Sequence, residues 1–584
     1  MKNTSKKVIS VLLAITLLFT GTTFASANDG EAADNSGIMF ATNLINGLLN
    51  AVFKGFGSLF PNDAPTVEEY YAGESENFYE GTQTFLDEPA ENAKWKLGFG
   101  KASMVPENLK NGSKQYYTGG YFTQKINGVY DDQGANAVAM TDSSGRGTVV
   151  MVAIDGIGVN NDDIRSIRAM AEEKLLAKGI FNDIVAININ ATHCHTVIDT
   201  QGFGLELIGK VFQNLFSFLP FIEKTRSINP EFHALMIEGA SDAIVQAYMN
   251  MEPGELYYFE TVGIGRSEKN GTYPDDEYGY LVNKRYNTEG YQNFIACFKF
   301  VPDNADSAPT VLANVGGHPT TISRETKLLS ADYPHYTEVK INDAGMNFMF
   351  IQGAQSPISV NDGAVETKEI LDEIEAEIAA DPRVEDYRRP KRLGYEFARL
   401  ILEAEKNAVK VEPVINVKMA EVTVPLEYGL LELGVAADLL GATIVRDSSA
   451  PAKFSVISEV GYLEIGTDIV MLTVPGELIP ELVYGNVVDK TQAYLGTDWE
   501  LDCTADLLGE DKTVLVMGLC NDALGYIVPD NDYAPFIADS LWNTDAGEKL
   551  WGPAHRHYEE MLSTGSKAGS TIIGALNKLV NEVK

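Results

Sequence analysis

Three consecutive segments in the first third of the chain leave few folds open. Residues 147–155 (GTVVMVAID) are an apolar run rich in valine, residues 162–178 carry the spacing of an amphipathic helix, and residues 183–190 (DIVAININ) are a second strand-like run. Strand, helix, strand in this order predicts a parallel crossover unit, because parallel neighbours need a connection that carries the chain back over the sheet. Residues 255–262, 309–314, 347–351, 411–425 and 468–474 also read as strands. Residues 230–249, 366–380 and 389–406 read as helices. The expected fold class is α/β (mixed α+β), one large domain of alternating strands and helices with its chemistry on loops at strand ends. No linker long enough to divide the chain follows Pro65.

The chemistry-bearing residues cluster just past the expected strands. The second strand runs straight into Ala191-Thr192-His193-Cys194-His195. Alternation in an extended segment would point both imidazoles to one side. One can then bind a metal while its neighbour handles a proton. Strand 309–314 leads into Gly316-Gly317-His318-Pro319-Thr320-Thr321, a histidine in a tight glycine-rich turn. Strand 468–474 leads into Pro475-Gly476-Glu477, with Glu477 expected in the first turn of a helix, where a carboxylate suits the macrodipole. Residues 518–526 (GLCNDALGY) close a further strand on Tyr526.

Composition narrows the partners. With 45 Lys and Arg against 82 Asp and Glu, the net charge is -37. That excludes nucleic acid, which requires a basic face, and electrostatic capture by an anionic membrane. It suits the solubility of an extracellular protein. Lys2, Lys6 and Lys7, the apolar run 8–19 and Ala25-Ser26-Ala27 have the order of a secretory signal peptide, with cleavage expected after Ala27 and a secreted product. The run is shorter than the roughly 20 residues that span a bilayer. Residues 28–64 form an N-terminal segment with an amphipathic helix over 44–60. Residues 205–222 form a second apolar stretch, which suits a lid or interfacial helix, with transient membrane-surface contact, as well as it suits a core helix. The four cysteines are too few for a disulfide scaffold; Cys503 and Cys520 are open to pairing or to remaining thiols.

Taken together and in order, the four segments resemble the zinc-site segments of the neutral ceramidase family: a histidine pair after a strand, a His-Pro-Thr turn, a Gly-Glu pair and a Gly-Tyr segment. The resemblance implies Zn²⁺ held by His193, His318, Glu477 and Tyr526, with His195 handling a proton. Gly353-Ala354-Gln355-Ser356-Pro357 is similar to the family's serine segment, Arg266-Ser267 to its active-site arginine, and His557-Tyr558-Glu559 to a segment whose tyrosine helps hold an oxyanion. The implied catalytic residues are then His195, Arg266, Tyr558 and Ser356. Residues 65–584 would be the catalytic domain alone, without the immunoglobulin-like C-terminal domain that many members carry. Thr196 to Thr200 replaces the family's glycine-rich loop, and Ala354 and Ile358 stand where the family has an acidic residue and an asparagine. The implied activity is hydrolysis of an amide, such as an N-acyl lipid of the ceramide type. The altered loop keeps a second reading open, a non-catalytic or differently specific extracellular binding protein on the same fold.

Overall fold

The computed structural model describes residues 64–120, 124–203, 222–261, 265–267, 279–286, 290–427, 441–534 and 559–584, with isolated positions such as His557 outside these runs. The expected signal peptide and most of the 44–60 and 205–222 segments lie outside the described residues.

The predicted crossover is present. β3 (Thr148–Ile154), α1 (Asn161–Ala177) and β4 (Ile184–Ala191) form it, and the two strands pair in parallel with Val150 opposite Ile187. Every residue of β3 is buried, as expected of a strand covered on both faces. α1 begins after Asn160 and carries Asp162 and Asp163 in its first turn, where carboxylates favour the helix dipole.

β1 (Trp95–Ser103), β2 (Gly134–Thr141), β5 (Glu252–Glu260), β8 (Ala296–Pro302), β9 (Thr310–Val315) and β10 (Asn347–Gln352) extend this unit into a nine-stranded sheet. Its order is β10-β9-β8-β5-β1-β2-β3-β4, with the short strand Val409–Lys410 beside β5. The pairs β3/β4 and β9/β10 are parallel and the other neighbours antiparallel. A second, five-stranded sheet runs β12 (Ile415–Pro425), β14 (Phe454–Ile465), β15 (Ile469–Thr473), β17 (Thr513–Met517), with β13 (Thr443–Arg446) beside β14. β15 and β17 are its parallel pair.

The period of two along a strand sorts side chains into layers. In β2, Ala137 and Ala139 join the cluster formed with α1 and α2 (Pro230–Met249), while Val138 and Met140 face the other way. There they meet Val417, Leu463, Met471 and Leu515 of the second sheet in one shared core. α3 (Asp332–Asp343) and α4 (Arg388–Ala404) cover the β8-β9-β10 end of the large sheet, and α5 (Ala568–Val583) covers the outer face of the small one. The layers are therefore helix, sheet, sheet, helix.

Several expectations shift. The strand expected from residue 411 begins at Ile415, and the helix expected from residue 366 begins at Lys368. All four cysteines are buried free thiols. Cys503 caps the short helix Thr504–Leu508, whereas Cys520 bridges to Asn190 and packs its sulfur 3.3 Å from Met517 Sδ, so the two serve separate elements.

Candidate metal centre

The segments that follow β4, β9, β10, β15 and β17 converge on one place, although β3 and β4 run antiparallel to β9 and β10 in the large sheet. Segments that leave the carboxyl ends of strands therefore meet, which is where open α/β sheets keep ligands. The loop after β17 wedges between the sheets. Its Asn521 N–H donates to the Ile189 carbonyl at 2.8 Å, and Ala191 N–H donates to the Leu519 carbonyl at 3.2 Å.

The histidine pair is not in the expected extended conformation. His193 has φ +64, a left-handed backbone that non-glycine residues seldom adopt and that concentrates at functional sites. The kink is held on both sides. Thr192 N–H donates to the Ile154 carbonyl at 2.9 Å, and the Cys194 thiol donates to the Ala331 carbonyl at 2.9 Å. Both rings still face the site, but through this turn rather than through strand alternation.

The orientation of two imidazoles decides the chemistry. His193 Nδ1 lies 2.7 Å from the Ile157 carbonyl. His318 Nδ1 lies 3.1 Å and 3.2 Å from the carbonyls of Gln355 and Ile358. A carbonyl only accepts, so each Nδ1 carries a proton and donates it. In the neutral rings, Nε2 is then a lone pair, and both lone pairs aim at one atom: Glu477 Oε2, 3.2 Å from His193 and 3.0 Å from His318. Two ring nitrogens and a carboxylate oxygen this close are held together by a shared proton or by a metal cation. Ligands held about 2.0–2.1 Å from a tetrahedral zinc are about 3.3 Å apart, close to these spacings. The backbone carbonyls behind the rings are the outer-shell partners that metal-binding histidines use to fix tautomer and direction. Burial pushes the His193 imidazole down, but Glu477 outweighs it and raises it. The same two histidines hold the buried Glu477 carboxyl well below the usual carboxylate range.

His195 is the third member of the cluster. The nitrogens of His193, His195 and His318 all lie within 4.8 Å of one another, and His195 is the least buried of the three. Its ring centroid is 4.8 Å from that of His193. Burial, with the neighbouring His193 and His318, pushes its imidazole well below the ordinary histidine range. A Cβ at Gly120 would stand 2.2 Å from the His195 ring, so only glycine fits there. The expected site residues did not include Gly120, although the Gly119-Gly120 pair is visible in the chain.

Glu477 is not at a helix start as expected. It lies in a short strand, β16 (Glu477–Leu478), paired in parallel with β18 (Tyr526–Ile527). The register sets Glu477 directly against Tyr526, and both are buried. The reason is the bend at Gly525, with φ +79, where a Cβ would meet the Leu562 carbonyl at 1.7 Å. Ser356 is fully buried, and among the described residues its hydroxyl has no hydrogen-bond partner and no base beside it. Its neighbour Gln355 braces His318. Arg266 lies in β6 (Gly265–Ser267), a parallel partner of β7 (Leu281–Asn283), but its side chain and Tyr558 lie outside the described residues. Asp332 was also not anticipated. It accepts from Thr321 N–H at 3.0 Å and Ile322 N–H at 3.2 Å and so holds the turn beyond His318.

No protein-family model and no curated protein matches the chain. Solved structures do. Neutral ceramidase from Pseudomonas aeruginosa superposes with a TM-score of 0.54 at 14% identity, covering 84% of this chain and 75% of that one. A structure described as ceramidase complexed with C2 gives 0.53 at 14% identity and the same coverage. An identity this low carries the architecture and not the chemistry, and it agrees with the motif order read from the sequence: the chain has a divergent neutral-ceramidase fold.

Proposed function

We propose that this chain is a secreted, zinc-dependent hydrolase of an amide bond, acting on an N-acyl lipid of the ceramide type. The observation that supports it most is the convergence of the His193 and His318 Nε2 atoms on Glu477 Oε2, with both tautomers fixed from behind. His193, His318 and Glu477 would hold the ion, and Tyr526, in register with Glu477, would complete the set. Two histidines and a carboxylate are a usual donor set for hydrolytic zinc. A bound zinc ion supplies Lewis acidity and lowers the pKa of water to about 7.

The remaining roles belong to the protein. His195, the most open of the three imidazoles, takes a proton at a ring nitrogen and returns it to the leaving amine. Arg266 and Tyr558 are assigned to the developing oxyanion, a contribution of a few kcal/mol for each donor. Ser356, buried and without a partner for its hydroxyl among the described residues, is assigned to positioning rather than attack.

Purified full-length chain should contain about one zinc, and His318→Ala should lose most of it. Full metal content in His318→Ala would remove the assignment. An amide-substrate panel on the loaded protein then tests the activity. The grouping of three imidazoles favours a second reading of the same site, in which His195 is itself a ligand.

A further inference from the structure

A buried charge cluster lies behind the metal centre. β7 is the middle strand of a small sheet, between β6 and β11 (Ile358–Val360), and the Ile358 carbonyl accepts from His318. At the end of β7 the chain is tied to three separate segments. Asn283 Nδ2 donates to Glu481 Oε1 at 2.8 Å. Arg285 Nη1 donates to Glu559 Oε2 at 2.8 Å, and Nη2 to Glu560 Oε1 at 2.9 Å. Nη2 also reaches Asp532 twice, at the carbonyl (2.8 Å) and at Oδ2 (3.0 Å). The Tyr286 hydroxyl donates to the same Asp532 Oδ2 at 2.6 Å.

One guanidinium therefore faces three carboxylates, with Arg285 only 2% exposed and all three acids buried. Taking such charges out of water costs more than apolar packing of the same volume, so the arrangement calls for a reason other than stability. Its placement supplies one. Glu481 opens the short helix that follows Glu477, and Asp532 lies in the turn that follows β18, which begins with Tyr526. A planar fork fixes direction as well as distance, which a hydrophobic contact does not.

We propose that Arg285 is a positioning residue for the metal centre, its guanidinium locking the segments around Glu477 and Tyr526 onto the sheet that backs His318. It touches no ligand. It sets the separation between the histidine half of the site and the Glu477–Tyr526 half. The inference rests on the metal-centre reading above.

The test is Co²⁺ binding by full-length chain stripped of metal, read as dissociation constant and visible absorption spectrum. Arg285→Lys keeps the charge and loses the fork. It should weaken Co²⁺ binding about tenfold or more, the scale of outer-shell changes, and alter the spectrum while the circular dichroism stays native. A folded Arg285→Lys with wild-type affinity and spectrum overturns the proposal, whatever its Tm. Should Arg285→Lys not fold, Tyr286→Phe, which breaks one tie without touching charge, should show a smaller loss of Co²⁺ affinity; wild-type affinity there overturns it equally. Wild-type chain that takes up no Co²⁺ overturns the metal reading itself, a result distinct from wild-type chain and Arg285→Lys binding alike.

Discussion

At the scale of single residues, the two histidines of the pair divide by what stands behind them. His193 has its Nδ1 committed to the Ile157 carbonyl and its Nε2 aimed at Glu477. His195 instead packs against Gly120 and is the more open ring. His195→Ala should keep its zinc and lose roughly 10²–10⁴-fold in turnover, the usual worth of a general acid-base group. His193→Ala should lose zinc and turnover together. Metal content and kcat measured side by side decide it, and loss of zinc from His195→Ala would support the three-imidazole reading instead. The residue types were legible, since His-x-His and the His-Pro turn stand in the sequence. The left-handed φ of His193 was not, because it is imposed by hydrogen bonds to Ile154 and Ala331.

At the scale of elements, the loop after β17 joins both sheets to α1, and Asp522 is its anchor. The carboxylate accepts from Asn161 N–H at 3.1 Å, Ala523 N–H at 2.8 Å and the Ser458 hydroxyl at 2.9 Å. Burial pushes it up to about 7. Its folded pKa is above the ordinary value of 3.8, so the folded state holds the proton more tightly than the unfolded chain. The stability this contributes is full below about pH 4 and is lost as the pH rises through about 7. Asp522→Asn keeps an acceptor oxygen and can donate to Ser458, and so removes the dependence. Relative to wild type it should be more stable at pH 8 than at pH 5 by at most about 3 kcal/mol, read as a rise in relative Tm. Equal Tm differences at the two pH values would contradict the assignment. The strands and helices named from periodicity lie within a few residues of their observed bounds, as with β3, α1 and β4, while β1, β2, β8, β14, α3 and α5 were not named from it. β16 was not, because a two-residue strand exists only through its partner β18.

At the scale of the molecule, two sheets share one core, and the segments beyond their strands bring together residues as far apart in sequence as His193 and Glu477. The apolar stretches 44–60 and 205–222 carry the expectation of a long acyl chain in the substrate. Each further buried CH₂ should favour binding by up to about 0.8 kcal/mol. In a series of N-acyl amides, kcat/KM should rise with chain length. A faster acetyl than palmitoyl substrate would sever the lipid from the proposal and leave the hydrolase standing.

By itself the sequence determined a part of the elements, β3, α1 and β4 among them, because apolar period and turn residues act locally, and it determined which residue types stand at those strand ends. The order of the motifs pointed to His193, His318 and Glu477, which the fold brings together. Tertiary structure alone decided that a second sheet packs on the first and that Glu477 sits in a strand. It alone decided which ring nitrogens are protonated, and that Arg285 gathers Asp532, Glu559 and Glu560. Those outcomes depend on contacts between segments hundreds of residues apart, and no local pattern of side chains encodes a partner at that distance.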